Sequence, residues 1–471
     1  MKSLPRKTLL LASLSCGLLP VVAQDAPAKG FTPSLTLGFE ERVRNERWNN
    51  IDFNGAVADQ RDHYRFRTRI WAVANLSPNL EIAAGLCNED RKIKQPDDLT
   101  FSSAYTGDNK THTQFNGREV FFETLYVDYK PSSQVSARVG RQNLVKGEGF
   151  ILMDGTPGDG SRSGYSNAVD LAFAWSKSKL EFIAIDNPAR DRFLPQINKI
   201  DRPAEANLLC EWDEQALGLY FSGKEWSGNT LDAYYILKTE KNFNLWNPTK
   251  IAYQPDRQFS TLGARVAQDF GPGLSVTGEF AYQFGSQDAG VDPRNPSATP
   301  VIAKDISAWG GYARLKKGFE ASWKPSVSVG YIGLSGQDPT SSKVTAWDPV
   351  FSRFPKWSEY YAYAVGSEKG VGYLQNLSMW ELEFKCSPCK AVDLRVTYYK
   401  MAAFERAAAS TGSDKDRGDL YELRTDMRFS KDLKGHVVYE RMLPGHFKAT
   451  HDTGSFFRAE LSYTFNHRFG L

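Results

Sequence analysis

Along the C-terminal stretch, Phe457, Ala459, Leu461, Tyr463 and Phe465 fall on one parity, while Arg458, Glu460, Ser462 and Thr464 fall on the other. That two-residue period belongs to a strand whose faces meet different surroundings. It recurs in Tyr421, Leu423, Met427 and Phe429 against Glu422, Arg424, Asp426 and Arg428, and in Leu274, Val276, Phe280 and Tyr282 against Thr277, Glu279 and Gln283. About eighteen such segments can be marked. They span 35–44, 63–74, 80–86, 119–129, 134–142, 168–176, 179–186, 214–222, 229–238, 260–269, 274–284, 306–317, 324–334, 378–385, 391–400, 418–429, 433–442 and 456–466.

The connections alternate too. Those after even-numbered segments are brief (75–79, 130–133, 177–178, 223–228, 270–273, 318–323, 386–390 and 430–432), whereas those after odd-numbered segments are long, among them 89–118, 187–213 and 335–377. A trimmed periplasmic rim and an elaborated outer rim distinguish transmembrane barrels. The expected fold is therefore all-β: a transmembrane antiparallel β-barrel of eighteen strands with short periplasmic turns and long extracellular loops. Apolar parities would meet lipid and polar parities a wet lumen, which spares the cost of burying unpaired charge. An antiparallel sheet with one solvated face explains any single strand equally well, so a secreted soluble polysaccharide-binding β-protein remains a rival.

The N-terminal residues support export. Lys2, Arg6 and Lys7 precede an apolar stretch and a small-residue site at Val21-Val22-Ala23, which predicts a signal peptide over 1–23. A short periplasmic segment over 24–34 and the barrel over 35–471 would follow. No later run is long and apolar enough for a transmembrane helix. Aromatics at 13% suit the girdles of an outer-membrane barrel. The formal charge of +3 equals the three basic residues of the signal, so the mature chain is formally neutral and its net charge points to no partner, nucleic acid included.

Candidate chemistry lies on the inward parity. Arg65, Arg67 and Arg69 share it in one strand, joined by Arg42, Arg44 and Arg138. Guanidinium groups keep their charge and offer forked donors to carboxylate or phosphate. Two readings stand: an anion-conducting lining, or ion pairs balancing Glu40, Glu381, Glu383, Glu422, Asp426 and Glu460. Arg424, Arg428, Arg458 and Glu279 complete the expected lining.

Enzyme signatures are missing. Gly160-Ser-Arg-Ser-Gly164 lacks nucleophile-elbow spacing, no HExxH or P-loop occurs, and the histidines lack ligand spacing, so neither a metal nor a cofactor is expected. The stretch from Asp154 to Gly160 reads as a turn before it reads as a calcium loop. A barrel hydrolase is the enzyme rival and would need a Ser, His or Asp cluster at the outer rim. Cys386-Ser-Pro-Cys389 has the spacing for a small disulfide in a turn. In the loop over 335–377, Trp347, Trp357, Tyr360, Tyr361 and Tyr363 suit either a fold into the pore mouth and stacking on sugar rings, or an exposed loop with girdle aromatics at its ends.

Specific strings add a resemblance. Gly140-Arg141-Gln142-Asn143-Leu144, Gly278-Glu-Phe-Ala-Tyr-Gln-Phe-Gly285, Ser335-Gly-Gln-Asp338, Val438-Tyr-Glu-Arg-Met-Leu-Pro-Gly445 and the Arg65-Phe-Arg67-Thr-Arg69 strand together resemble the alginate export family of outer-membrane porins. The terminal Tyr463-Thr-Phe465-Asn-His-Arg-Phe469-Gly-Leu471 resembles the outer-membrane assembly signal, ending on Leu where the pattern has Phe or Trp. The family implies a monomeric barrel in the cell outer membrane that passes polyuronate outwards through an arginine-rich lumen, with Arg141 joining Arg65, Arg67 and Arg69 in the lining. It implies as partners the lipid bilayer, lipopolysaccharide, the barrel assembly machinery and an anionic saccharide. A nutrient-uptake porin for small anionic solutes is the alternative within transport.

Overall fold

The structure is a computed structural model that describes residues 30–51, 53–56, 60–95, 120–153, 165–195, 197–198, 210, 212–224, 228–241, 253, 255–293, 295–352, 357–358, 360, 375–406 and 414–471. The expected signal peptide, the stretches 154–160 and 160–164, Tyr361 and Tyr363 lie outside the described residues.

Eighteen antiparallel strands form one sheet that closes on itself. In chain order they are β1 (Ser34–Asn49), β2 (Arg61–Ser77), β3 (Leu80–Gln95), β4 (Phe121–Tyr129), β5 (Val135–Gln142), β7 (Ser166–Trp175), β8 (Ser178–Asn187), β9 (Asp213–Gly223), β10 (Asn229–Lys241), β11 (Arg257–Gly271), β12 (Leu274–Gln287), β13 (Lys304–Gly318), β14 (Ser326–Leu334), β16 (Leu377–Cys389), β17 (Val392–Ala402), β18 (Asp416–Arg428), β19 (Leu433–Pro444) and β20 (Gly454–Gly470). The remaining two, β6 (Leu152–Met153) and β15 (Phe351–Ser352), belong to loops. Each barrel strand pairs with its neighbours in sequence, and β1 pairs with β20 from Ser34↔Gly470 to Asn49↔Ser455, which leaves no open edge.

Every predicted segment coincides with an observed strand, but several strands run further. β3 continues to Gln95 and takes in part of the expected 89–118 loop, and β1 runs on to Asn49. Above the apolar belt both parities are polar, as at Asn88 and Glu89, so side-chain alternation ends while the backbone ladder of β2 and β3 continues. On the lipid face Ile70, Leu262, Phe280, Trp380, Leu461 and Phe465 are exposed as large apolar side chains. Aromatic neighbours such as Tyr331–Trp380 and Tyr398–Tyr421 pack in tilted pairs along it. An outer surface of this kind is at home only in a bilayer.

The bore differs from a uniformly wet channel. Ile183, Ile185, Ala216 and Ile236 are buried on the inner wall and pack with Leu144, Phe150, Ile151 and Leu152 of the loop after β5 and with Trp347, Val350 and Phe351 of the loop after β14. These two loops meet inside the barrel, where β6 and β15 pair in parallel through Phe351↔Leu152 and Ser352↔Met153. Trp347 stacks on Phe150 at 5.4 Å and lies over Gly310 of β13, where a Cβ would come within 2.7 Å of the indole. Of the two readings of the long loop, the structure therefore places Trp347 within the bore rather than on an exposed rim.

The disulfide reading is corrected. Cys386 and Cys389 are both free, Cys386 buried and Cys389 exposed. The stretch is not a turn: it continues β16, with a register shift between the two cysteines that sets them in different surroundings.

Candidate functional site

The inward parity of β1, β2 and β20 builds a column of guanidinium groups. Arg42 stands directly opposite Arg67, and Arg44 opposite Arg65. Like charges in cross-strand register repel, and here carboxylates separate them. Glu46, without solvent exposure, accepts from Arg65 Nη1 at 2.9 Å, Arg458 Nε at 2.8 Å and Arg44 Nη1 at 3.3 Å. Glu89 accepts from Arg65 Nε at 3.1 Å and Arg42 Nη2 at 3.2 Å, and Glu460 takes Arg44 Nε at 2.6 Å. Arg67 Nη2 donates to Glu40 at 2.8 Å, and Arg69 pairs with Glu123 and Glu40. Tyr165 lies just before β7 near this group, and burial together with Glu123 pushes its phenol up, so it stays neutral.

Exposure divides the column. Arg42, Arg44, Arg65, Arg67 and Arg458 are buried, whereas Arg69 keeps 14% of its side chain accessible. The buried members form a network in which removal of one partner leaves another charge stranded, a loss of about 3–5 kcal/mol. Arg69 is the member that water can still reach.

The other predicted residues are dispersed around the bore. Arg138 donates to Asp128 from Nε at 3.0 Å and lies 4.4 Å over the Tyr126 ring. Arg141 is used up by Asp191 at 2.6 Å, Asn167 at 3.0 Å and the Phe122 carbonyl at 2.9 Å. Glu279 is buried and accepts from the Tyr234 and Tyr312 hydroxyls at 2.9 and 3.1 Å. Glu422 takes Arg395 at 2.6 Å, Arg424 pairs with Asp426 at 2.8 Å, and Arg428 pairs with Asp393 at 2.6 Å.

Sequence reasoning missed Glu46 and Glu89, although the parity of Arg42 and Arg44 carried two residues further points to Glu46. It also missed the grip on the loop after β14. Arg257 pairs with Asp348, Gln283 Nε2 donates to the Asp348 carbonyl at 2.8 Å, and Lys238 Nζ donates to the Val350 carbonyl at 2.6 Å. Further along, Ser358 donates to Glu440, and Tyr360 donates to the Asn50 carbonyl at 2.6 Å. The loop thus touches β10, β11, β12 and β19, crossing the bore and narrowing it. Among the described residues no group of His, Cys, Asp and Glu is arranged to hold a metal ion.

Solved structures share this architecture. The Acinetobacter baumannii channel OccAB2 superposes with a TM-score of 0.56 at 10% identity, covering 92% of this chain and 98% of that one. Pseudomonas aeruginosa OpdK, solved with vanillate, gives 0.55 at 9% identity over 92% and 99%. P. aeruginosa OccK2 (OpdF), solved with glucuronate, gives 0.52 at 11% over 92% and 98%. At such identities the likeness speaks for the fold alone. No curated protein matches the sequence. The family model described as alginate export matches residues 202–470. That match takes in more than half of the chain, from the approach to β9 through β20, and with the closed barrel it leads to one assignment: the chain belongs to the alginate export family and is a channel of the cell outer membrane.

Proposed function

We propose that the barrel is a passive channel for anionic saccharides, of the polyuronate type that gives the family its name. The observation that carries this reading is the inward arginine column of β1, β2 and β20, which ends in the accessible Arg69. Positive side chains on a wall of low dielectric raise the local concentration of carboxylate-bearing solutes. Forked guanidinium donors orient each carboxylate as it passes. A channel without an energy source conducts down a gradient, so synthesis in the periplasm would drive export and an external supply would drive uptake.

Uptake of small anionic solutes is the second reading. It is favoured by the narrowing of the bore by Trp347 and Phe351, and by the vanillate and glucuronate with which two of the similar channels were solved. Conductance of the reconstituted protein with and without oligouronates tests the proposal, in wild type and in an Arg65/Arg67/Arg69 triple alanine variant. A concentration-dependent block by oligouronate that weakens in the variant supports it. Indifference to oligouronate together with a response to small carboxylates transfers support to the second reading.

A further inference from the structure

Beyond the β1–β2 column, the inner wall carries a second cationic row in a different setting. Lys385 of β16 is the direct cross-strand partner of Arg395 of β17, which is in turn the direct partner of Arg424 of β18. Three positive side chains thus lie side by side on adjacent strands. The row is flanked by Ser326 of β14 and Val438 of β19, neither of which carries charge.

The acids lie in the rows above and below. Towards the outer rim Glu383, Thr397 and Glu422 are in register, and towards the periplasm Asp393 is opposite Asp426. Each cation is held by one carboxylate from these rows: Lys385 by Glu383 at 3.0 Å, Arg395 by Glu422 at 2.6 Å and Arg424 by Asp426 at 2.8 Å. A cation tethered from one side keeps donors to spare, and the buried Arg395 Nε–H has no acceptor among the described residues.

Accessibility separates this row from the column. Lys385, Arg395 and Arg424 keep 44%, 30% and 23% of their side chains exposed, against 1–5% for the guanidinium groups of Arg42, Arg44, Arg65, Arg67 and Arg458. All three point into the bore, so this exposure is to its water. Arg395 lies about 10 Å along β17 from the short turn at its start, near the periplasmic mouth.

We propose that Lys385, Arg395 and Arg424 form an anion-binding subsite at the periplasmic end of the bore that takes the carboxylates of a uronate chain. This deepens the proposed function and rests on it. Cross-strand partners stand about 5 Å apart at Cβ, so neighbouring carboxylates of one chain can meet neighbouring cations. The acidic rows on either side confine the positive potential to a band and keep a bound anion from being held over a long stretch. Entry and release of an anion at one band are the behaviour a conducting site needs.

The test uses the full-length protein in planar bilayers with trimannuronate as the probe, added on either side. Lys385 suits substitution because it pairs with Glu383 and nearly half of its side chain is exposed. Wild type is expected to be blocked more strongly from the short-turn side. Lys385→Gln should weaken that block roughly three- to tenfold, as loss of one ordinary hydrogen bond at a half-exposed site implies. Lys385→Glu should remove it and Lys385→Arg should keep it. Heat-modifiable migration on gels reports that each variant is folded. Block that is unchanged in both Lys385→Gln and Lys385→Glu overturns the subsite and leaves the proposed function standing. Anion preference without any block also overturns the subsite. A wild-type channel with neither anion preference nor block overturns both.

Discussion

Arg44 of β1 stands directly opposite Arg65 of β2 in the barrel wall, and both guanidinium groups are withdrawn from water. The arrangement is tolerable because Glu46 lies between them and also receives Arg458 from β20. This stitch crosses the seam where the first and last strands close the ring, so it couples charge pairing to barrel closure.

Glu46→Gln keeps the shape and removes the charge. Repulsion among Arg44, Arg65 and Arg458 would then be uncompensated, for a loss of about 3–5 kcal/mol. The temperature at which the folded band converts to the unfolded one on gels should fall clearly. An unchanged conversion temperature would show that the three arginines do not depend on Glu46.

The loop after β14 is held inside the bore by contacts that can be cut singly. Asp348 pairs with Arg257, and its Oδ1 accepts the Val350 amide at 2.7 Å. Val350 sits at φ 62°, a left-handed conformation that a β-branched residue adopts only under constraint, at a cost of about 1–3 kcal/mol. Asp348→Ala should release that constraint, giving larger and noisier single-channel currents. Currents of wild-type size and stability would mean that the grip of Lys238 and Gln283 suffices alone.

Gly310→Leu attacks the same loop from the wall. The Trp347 indole occupies the space that a side chain at Gly310 would need. The indole should be displaced, and acrylamide quenching of tryptophan fluorescence should rise along with conductance. Quenching equal to wild type would show that the indole keeps its place.

The free cysteines make a chemical prediction. Cys389 is exposed, while Cys386, Cys87 and Cys210 are buried. A maleimide applied to the folded protein without reductant should label Cys389 rapidly and the others slowly. A requirement for prior reduction would point to a bridge instead.

The strands were legible because lipid and water impose opposite demands on successive side chains, as Leu461 and Ser462 display on β20. The plug was not legible. Ile183 and Ile185 face inwards, so β8 is apolar on both parities in this stretch and reads like any buried strand. Their partners Leu152 and Phe351 come from loops far apart in sequence, and nothing local announces that meeting. The arginines of β2 were visible by parity, but their burial was not, because it depends on Glu46 and Glu89 from neighbouring strands. The row of Lys385, Arg395 and Arg424 needs the strand register, which a list of alternating segments does not contain.

The central claim, a bore that favours anions although the chain carries a formal charge of only +3, is tested most directly by the reversal potential of the wild-type channel in planar bilayers under a potassium chloride gradient. The account predicts a potential displaced towards the chloride equilibrium value, more so at low salt, where the accessible cations are least screened. A potential displaced towards the potassium value would contradict it.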